Sequence, residues 1–408
     1  MGNGTNLLGV RDYNEQVVLE LIRVNGGISR VEIAKRVGLT AQTVSNIVRR
    51  TLEKGLVVES EKVSPVSVGK PRVGLQINPQ AGYALGVQID CDEITLVVLD
   101  LAGGVVYTTE RETPEEHGPD AVVSEVAELV EDSLIGSELE RGKVLGLGVC
   151  CPGPLDHDTG VVYNPPNLRG WTEVPLKDSL EQKVGLPVLV DNDATASAVG
   201  ERWSGGAQGA RDFAFIYVGV GIGAGLFLDN RLLRGSSSNA GEFGHTTLNI
   251  EGPECFCGRR GCVEMYCAPA AVARRVQQRL DAGVQSIMTQ WERGELLFED
   301  VSAAAVEGDA LARDELVRSS RMLGQGVVDL VNTLDLELVV LGGKGLGEAA
   351  GIYVQEIEEI LRQTTLARNL QHTRVELSHG GTYSGSVGGA ASVLHTTYHP
   401  QLRGVETV

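Results

Sequence analysis

The run Asn239-Ala240-Gly241-Glu242-Phe243-Gly244-His245, followed after nine intervening residues by Cys255-Phe256-Cys257-Gly258-Arg259-Arg260-Gly261-Cys262, decides how this chain is read. One imidazole and three thiolates make a closed tetrahedral set for Zn²⁺, and Gly258 and Gly261 let the backbone fold the sulfurs around one point. His245, Cys255, Cys257 and Cys262 are therefore the expected ligands of a structural zinc. Four protein ligands leave no open position for a metal-bound water, which argues against hydrolytic metal chemistry. Upstream, the glycine-rich run 218–225 and the carboxylate of Glu242 place polar pocket residues beside the metal clip. The pairing points to a small-ligand site braced by zinc.

Working outward, a chain of 408 residues with a formal net charge of −19 is long enough for two or three domains, each with its own core. Seven cysteines, an odd number, with neither a basic nor an apolar leader at the amino terminus, indicate a reducing compartment, and the expected location is cytoplasmic. Cys150 and Cys151 read as strand-end core residues, and Cys267 falls outside the zinc set. No apolar run reaches the ~18 residues that a bilayer requires, so membrane function is not expected. The charge is unevenly spread: residues 1–80 hold 11 Lys plus Arg against 7 Asp plus Glu, leaving −23 for the remainder. A basic head on an acidic body fits a head that meets nucleic acid and a body that does not.

Within the head, Val17, Val18, Leu21 and Ile22 recur at helical spacing from Asp12 to Arg23, and Gly26-Gly27 ends that helix. Ser29 precedes Glu32 by three residues, a capping-box signal for a second helix that stops at Gly38. Thr40 caps a third helix, about 41–54, which buries Val44, Ile47, Val48 and Leu52. Extended segments at 56–58 and 75–77 then flank the tip 67–72. The pattern is a winged helix-turn-helix. In such a module the third helix enters the major groove, where Gln42, Asn46 and Arg49 suit base edges. Ser29, Arg30 and Thr43 suit phosphate oxygens, and Lys70 and Arg72 on the wing reach the backbone or minor groove.

From residue 83 the chain alternates strands (84–89, 94–99, 103–110, 144–150, 188–190, 213–218, 224–228, 338–341) with helices at 120–134 and 386–394. Two similar α/β lobes with a cleft between them are expected. The division read from this pattern is 1–80 for the head and wing, 81–205 for a first lobe completed by a carboxy-terminal helix over 384–408, and 206–383 for a second lobe carrying the zinc.

These residues together resemble the ROK family of repressors, open reading frames and kinases. The resemblance rests on Asn192-Asp193 with Gly200-Glu201 downstream, on Ala240 to His245, and on the Cys-x-Cys-Gly-x-x-Gly-Cys-x-Glu run ending at Glu264. It implies an α/β fold: an N-terminal winged helix-turn-helix followed by a two-lobed actin-like (sugar kinase/ribonuclease H-like) body with a structural zinc. It further implies that Gly153, Asn167, Asn192, Asp193, Glu242, His245 and Glu264 form a sugar site. Carboxylates and amides fixed in a cleft bind neighbouring hydroxyls in pairs, which agrees with that assignment. The fused head is similar to that of the family's xylose-type and N-acetylglucosamine-type repressors.

The phosphate loops depart from the family's kinases. Where those carry Asp-x-Gly-Gly-Thr, this chain has Asp90-Cys91-Asp92-Glu93-Ile94, which lacks the glycines and adds negative charge where a triphosphate would lie. The second loop reads Gly219-Val220-Gly221, without a hydroxyl. Asp193, the equivalent of a kinase base, is left as a hydroxyl acceptor. The expected function is a sugar-responsive, DNA-binding regulator without kinase activity, a repressor by family default, working as a homodimer or homotetramer with operator DNA and a sugar or sugar phosphate as partners. The competing reading is an ATP-dependent sugar kinase with an accessory head, and a third is a DNA-binding scaffold without a small ligand.

Overall fold

The computed structural model describes residues 7–63, 72–114, 118–291 and 294–400. The head comprises α1 (Leu7–Val24), β1 (Ile28–Ser29), α2 (Arg30–Val37), α3 (Ala41–Glu53), β2 (Val57–Val63) and β3 (Arg72–Ile77). Val18, Ile22, Ile33, Val44, Ile47, Val48 and Leu75 close its core. The start of α2 is a complete capping box, with Ser29 Oγ accepting from Glu32 N and the Glu32 side chain accepting from Ser29 N. Gly38 ends the helix at φ 68°, a left-handed conformation that suits glycine. Thr40 caps α3 by accepting from Thr43 N at 3.1 Å. The small sheet has the order β1-β3-β2 and is antiparallel throughout. This is the expected winged helix-turn-helix, with a first helix that starts earlier than Asp12.

The body is built on two five-stranded sheets of one pattern. The first uses β4 (Tyr83–Ile89), β5 (Glu93–Asp100), β6 (Val105–Glu112), β7 (Val144–Cys151) and, after the short β8 (Leu155–Asp156), β9 (Val161–Val162) and β10 (Val174–Pro175), β11 (Val188–Asn192). Its order is β11-β7-β4-β5-β6, with β11, β7 and β4 parallel. Helices α4 (Pro119–Gly136) and α5 (Leu176–Val184) cover one face, and α6 (Asp193–Trp203) follows β11. The second sheet, β12 (Phe213–Val218), β13 (Ile222–Leu228), β14 (Arg231–Leu232), β15 (Leu338–Gly342) and β16 (Arg374–Leu377), has the order β14-β13-β12-β15-β16. Helices α7 (Val263–Cys267), α8 (Pro269–Asp281), α9 (Phe298–Val306), α10 (Ala310–Leu334) and α11 (Ala350–Thr364) build its outer layer, a stretch in which the sequence pattern assigns no helix.

Helix α12 (Ser384–Tyr398) lies with α6 between the two sheets, where Ala84, Val97 and Leu99 of the first meet Phe213, Phe215 and Leu338 of the second. It contacts the first sheet on the face opposite α4. The approach is close: a Cβ on Gly86 or Gly148 would come within 1.9 Å of the carbonyl oxygens of Ser386 and Gly389, so glycine is required at both positions. Cys150, Cys151 and Cys267 are buried, as expected of core thiols. No helix among the described residues is long and apolar enough to cross a membrane.

Candidate functional site

Between the lobes lies a cleft of about 920 Å³, lined by Gly153, Asn167, Asn192, Asp193, Glu242, His245 and Glu264 together. These positions lie 111 residues apart in sequence at the extremes: Gly153 follows β7, Asn167 lies between β9 and β10, Asn192 ends β11, Glu242 and His245 follow β14, and Glu264 lies in α7. Asn192 is the N-cap of α6: its Oδ1 accepts from Ala194 N at 3.0 Å and Thr195 N at 3.4 Å. Capping uses the carbonyl oxygen and leaves the amide NH₂ to donate into the cleft. Asp193, the first helical residue, accepts from Ala194 N at 2.8 Å. Burial, reinforced by the charges of Asp90 and Glu242, pushes its carboxyl up to about 7 despite that hydrogen bond.

Glu264, in α7, accepts from Ile222 N at 2.9 Å and so ties the helix that follows the cysteine run to the hairpin turn Gly219-Val220-Gly221. That turn is closed by Gly219 N donating to Gly221 O at 2.9 Å. Across the cleft, Asn239 holds Leu155 by two hydrogen bonds, from Leu155 N at 3.1 Å and to Leu155 O at 3.0 Å. The floor is Tyr217, whose hydroxyl accepts from Gln88 Nε2 of the facing lobe.

The His245, Cys255, Cys257 and Cys262 donor atoms all lie within 4.8 Å of one another. The Cys257 and Cys262 sulfurs are 3.7 Å apart, close to the ~3.8 Å that two thiolates span on a tetrahedral zinc with bonds near 2.3 Å. His245 Nδ1 faces Cys255 Sγ at 3.5 Å, while Nε2 lies 4.0 Å from Glu242 Oε2. One ring nitrogen thus addresses the metal set and the other the polar cleft. The donor chemistry and spacing fit a metal ion held by these four residues.

Asp90, Tyr217, Asn239, Phe256, Arg259 and Arg274 also line the cleft, although the sequence motifs assign them no role there. At one end, Lys344 reaches from the turn after β15 into the β4–β5 hairpin of the other lobe, 3.3 Å from Asp90 and from Glu93 and in hydrogen-bond contact with Asp92. A strand-end glycine pair, Gly342-Gly343, followed directly by a lysine is the signal that marks it.

On the head, Gln42 and Arg49 are exposed on α3, with Thr43 and Asn46 partly so. Gln42 Nε2 donates to Asn46 Oδ1 at 3.2 Å, and Arg49 lies 3.9 Å from Glu53. Ser29 departs from expectation. It is 5% exposed and its hydroxyl is engaged in the α2 cap, so it is not presented to a phosphate. Arg30 is paired with Glu59 at 2.8 Å across the wing sheet. Arg72 opens β3, and Lys70 lies outside the described residues.

A winged helix-turn-helix joined to an actin-like α/β body defines the class. A model of winged helix-turn-helix DNA-binding domains matches residues 11–58, and the ROK family model matches residues 84–396. The chain belongs to the ROK family. It is similar to the xylose repressor of Caldicellulosiruptor bescii, 32% identical over 381 residues that cover 93% of this chain and 94% of that one. A solved ROK family transcriptional regulator, a homologue of the Escherichia coli Mlc protein, aligns with a TM-score of 0.80 at 28% identity over 97% of this chain and 98% of that one. A ROK glucokinase from Streptomyces griseus, in complex with glucose and AMPPNP, aligns with a TM-score of 0.67 at 30% identity over 76% of this chain and 98% of that one.

Proposed function

We propose that this protein is a sugar-responsive transcriptional repressor of carbohydrate-utilisation genes, in which residues 1–80 read operator DNA and a cleft between lobes 81–205, with the carboxy-terminal helix, and 206–383 binds the effector. The observation that carries the reading is the joining, in one chain, of a winged helix-turn-helix to a cleft lined by four carboxylates and four amides, in a chain that is similar over nearly its full length to a xylose repressor. Gln42, Thr43, Asn46 and Arg49 face DNA. Gly153, Asn167, Asn192, Asp193, Glu242, His245 and Glu264 surround the sugar, and Zn²⁺ on His245 and the three cysteines holds the loop that leads into α7 and Glu264. Zinc has a structural part only: it fixes the His245 ring so that Nε2 faces Glu242.

The body binds sugar without phosphorylating it. The β4–β5 hairpin offers two exposed or half-exposed carboxylates, Asp92 and Glu93, beside buried Asp90, so a triphosphate is repelled where backbone amides would have to receive it. Operator binding places the protein in the compartment that holds the chromosome, and paired half-sites call for a homodimer or homotetramer. Operator titrations with Gln42→Ala and Arg49→Ala, and sugar calorimetry with Asp193→Asn and Glu242→Gln, test the assignment. Unaltered sugar affinity in both cleft variants would refute the site, and sugar phosphorylation at ~1 per second or faster would favour a kinase instead.

A further inference from the structure

Lys344 stands beside the cleft, where it meets Asp90, one of the residues that line it. Its ammonium lies 3.3 Å from Asp90 Oδ2, 3.3 Å from Glu93 Oε1 and in contact with Asp92 Oδ1. The lysine belongs to the second lobe and all three carboxylates to the first. Its direction is set by the backbone: Gly343 stands at φ 100°, and a Cβ there would meet Val218 O at 2.3 Å, so the turn after β15 aims the next side chain across the gap. Asp90 is buried, accepting from Cys91 N at 2.8 Å, and its second oxygen faces Lys344. Burial alone would lower the lysine's affinity for its proton, yet the three acidic neighbours outweigh it and hold the ammonium charged. Donor atoms of Asp90, Cys91 and Asp92 are also close enough together to hold a metal ion. One ammonium therefore occupies a place whose surroundings otherwise suit a divalent cation.

We propose that Lys344 is a tethered cation: it occupies the acidic hairpin in place of a divalent ion and, being carried by the opposite lobe, clasps the cleft shut without any nucleotide. The same ammonium makes the hairpin self-contained. A free metal ion would have to displace it, and an incoming anion meets a cluster that still carries two uncompensated negative charges. Removing the lysine leaves Asp90 buried and unpaired, an arrangement that is strongly unfavourable and is relieved when the lobes part and water reaches the carboxylate. The clasp does not depend on what the cleft binds.

The test uses the full-length protein and two variants, Lys344→Met and Lys344→Arg, each first checked for a cooperative melting transition. Hydrogen exchange reads the clasp. In Lys344→Met the amides of 89–95 and 342–348 are expected to exchange about tenfold faster or more, with the head unchanged, while Lys344→Arg stays near wild type. Manganese binding, followed by electron paramagnetic resonance, reads the tethered-cation role: wild type leaves Mn²⁺ free at millimolar concentration, Lys344→Met binds it at the hairpin, and bound Mn²⁺ slows exchange there again. Unchanged exchange in Lys344→Met, or Mn²⁺ binding at the hairpin as tight in wild type as in that variant, overturns the proposal. If Lys344→Met does not fold, the manganese measurement on wild type and exchange in Lys344→Arg still decide: Mn²⁺ binding in the first, or tenfold faster exchange in the second, contradicts it.

Discussion

Arg23 and Trp203 join the reading head to the body: the Arg23 guanidinium lies 4.3 Å over the Trp203 ring and its Nη1 donates to the Trp203 carbonyl. Trp203 is the last residue of α6, and Asp193, in the cleft, is the first. Eleven residues of helix span about 15 Å, and this helix is buried along most of its length, so a displacement at one end is delivered to the other as a rigid shift. Glu20 fixes the same guanidinium at 2.7 Å, and Leu56, Ile77 and Tyr398 pack into the cores on both sides of the joint.

Arg23→Ala is therefore expected to uncouple the two sites. A buried cation–π contact and a charge-assisted hydrogen bond are together worth on the order of 2–3 kcal/mol. Fluorescence anisotropy should show operator affinity without sugar within about threefold of wild type, while the shift in that affinity produced by saturating sugar shrinks by about tenfold or more. A full sugar response in Arg23→Ala would show that coupling takes another path.

The raised carboxyl of Asp193 makes both stability and ligand binding pH-dependent. Its folded value is about 7 against the ordinary 3.8, so the folded state holds this proton more tightly than the unfolded chain does. The stability that follows is full below the unfolded value and is lost as pH rises through about 7. Asp193→Asn, which cannot ionise, flattens this part of the profile in thermal melts recorded from pH 5 to 8. On the proposed role of Asp193 as a hydroxyl acceptor, sugar affinity runs the opposite way, since only the ionised carboxylate accepts with both oxygens, and it should weaken as pH falls below about 7 in calorimetry.

Cys257→Ser removes one of the four residues proposed to hold zinc. Metal analysis is expected to fall from one zinc per chain toward none, the melting temperature to drop by several degrees, and sugar affinity to weaken because Glu264 and Ile222 lose their common support. A variant that retains a full equivalent of zinc would remove Cys257 from the ligand set.

Arg49→Ala and Gln42→Ala each alter one exposed residue of α3 and leave the helix core of Val44, Ile47 and Val48 untouched. If each makes a paired contact to a base edge, operator affinity falls by about 1–3 kcal/mol with little change on random DNA. Equal losses on both DNAs would make these residues phosphate contacts.

Local signals account for what was legible in the sequence. Ser29 with Glu32, Gly38 and Thr40 mark helix boundaries through contacts made within a few residues, and Cys255 to Cys262 announce a metal set because three donors share one turn. The same locality misleads at Ser29, where a hydroxyl free in principle to meet a phosphate is consumed by the cap that its own motif predicts. Gly342-Gly343 marks Lys344 in the sequence but not its partners: Asp92 lies 252 residues away, and it is the packing of the two sheets about α6 and α12 that brings the two turns face to face. Between 263 and 364 the start signals are scattered, Pro269 opening α8 and Asp309 capping α10 by accepting from Ala312 N, and the apolar faces that pack on the second sheet define the helices that the pattern missed.

The most direct test of the whole account is anisotropy of a labelled operator, selected from random DNA by the protein itself, as neutral sugars and sugar phosphates are titrated without ATP. At least one of them is expected to release the operator from wild type and to fail to do so from Asp193→Asn. An operator that stays bound against every sugar, or is released only when Mg²⁺-ATP is present and the sugar is recovered phosphorylated, would contradict it.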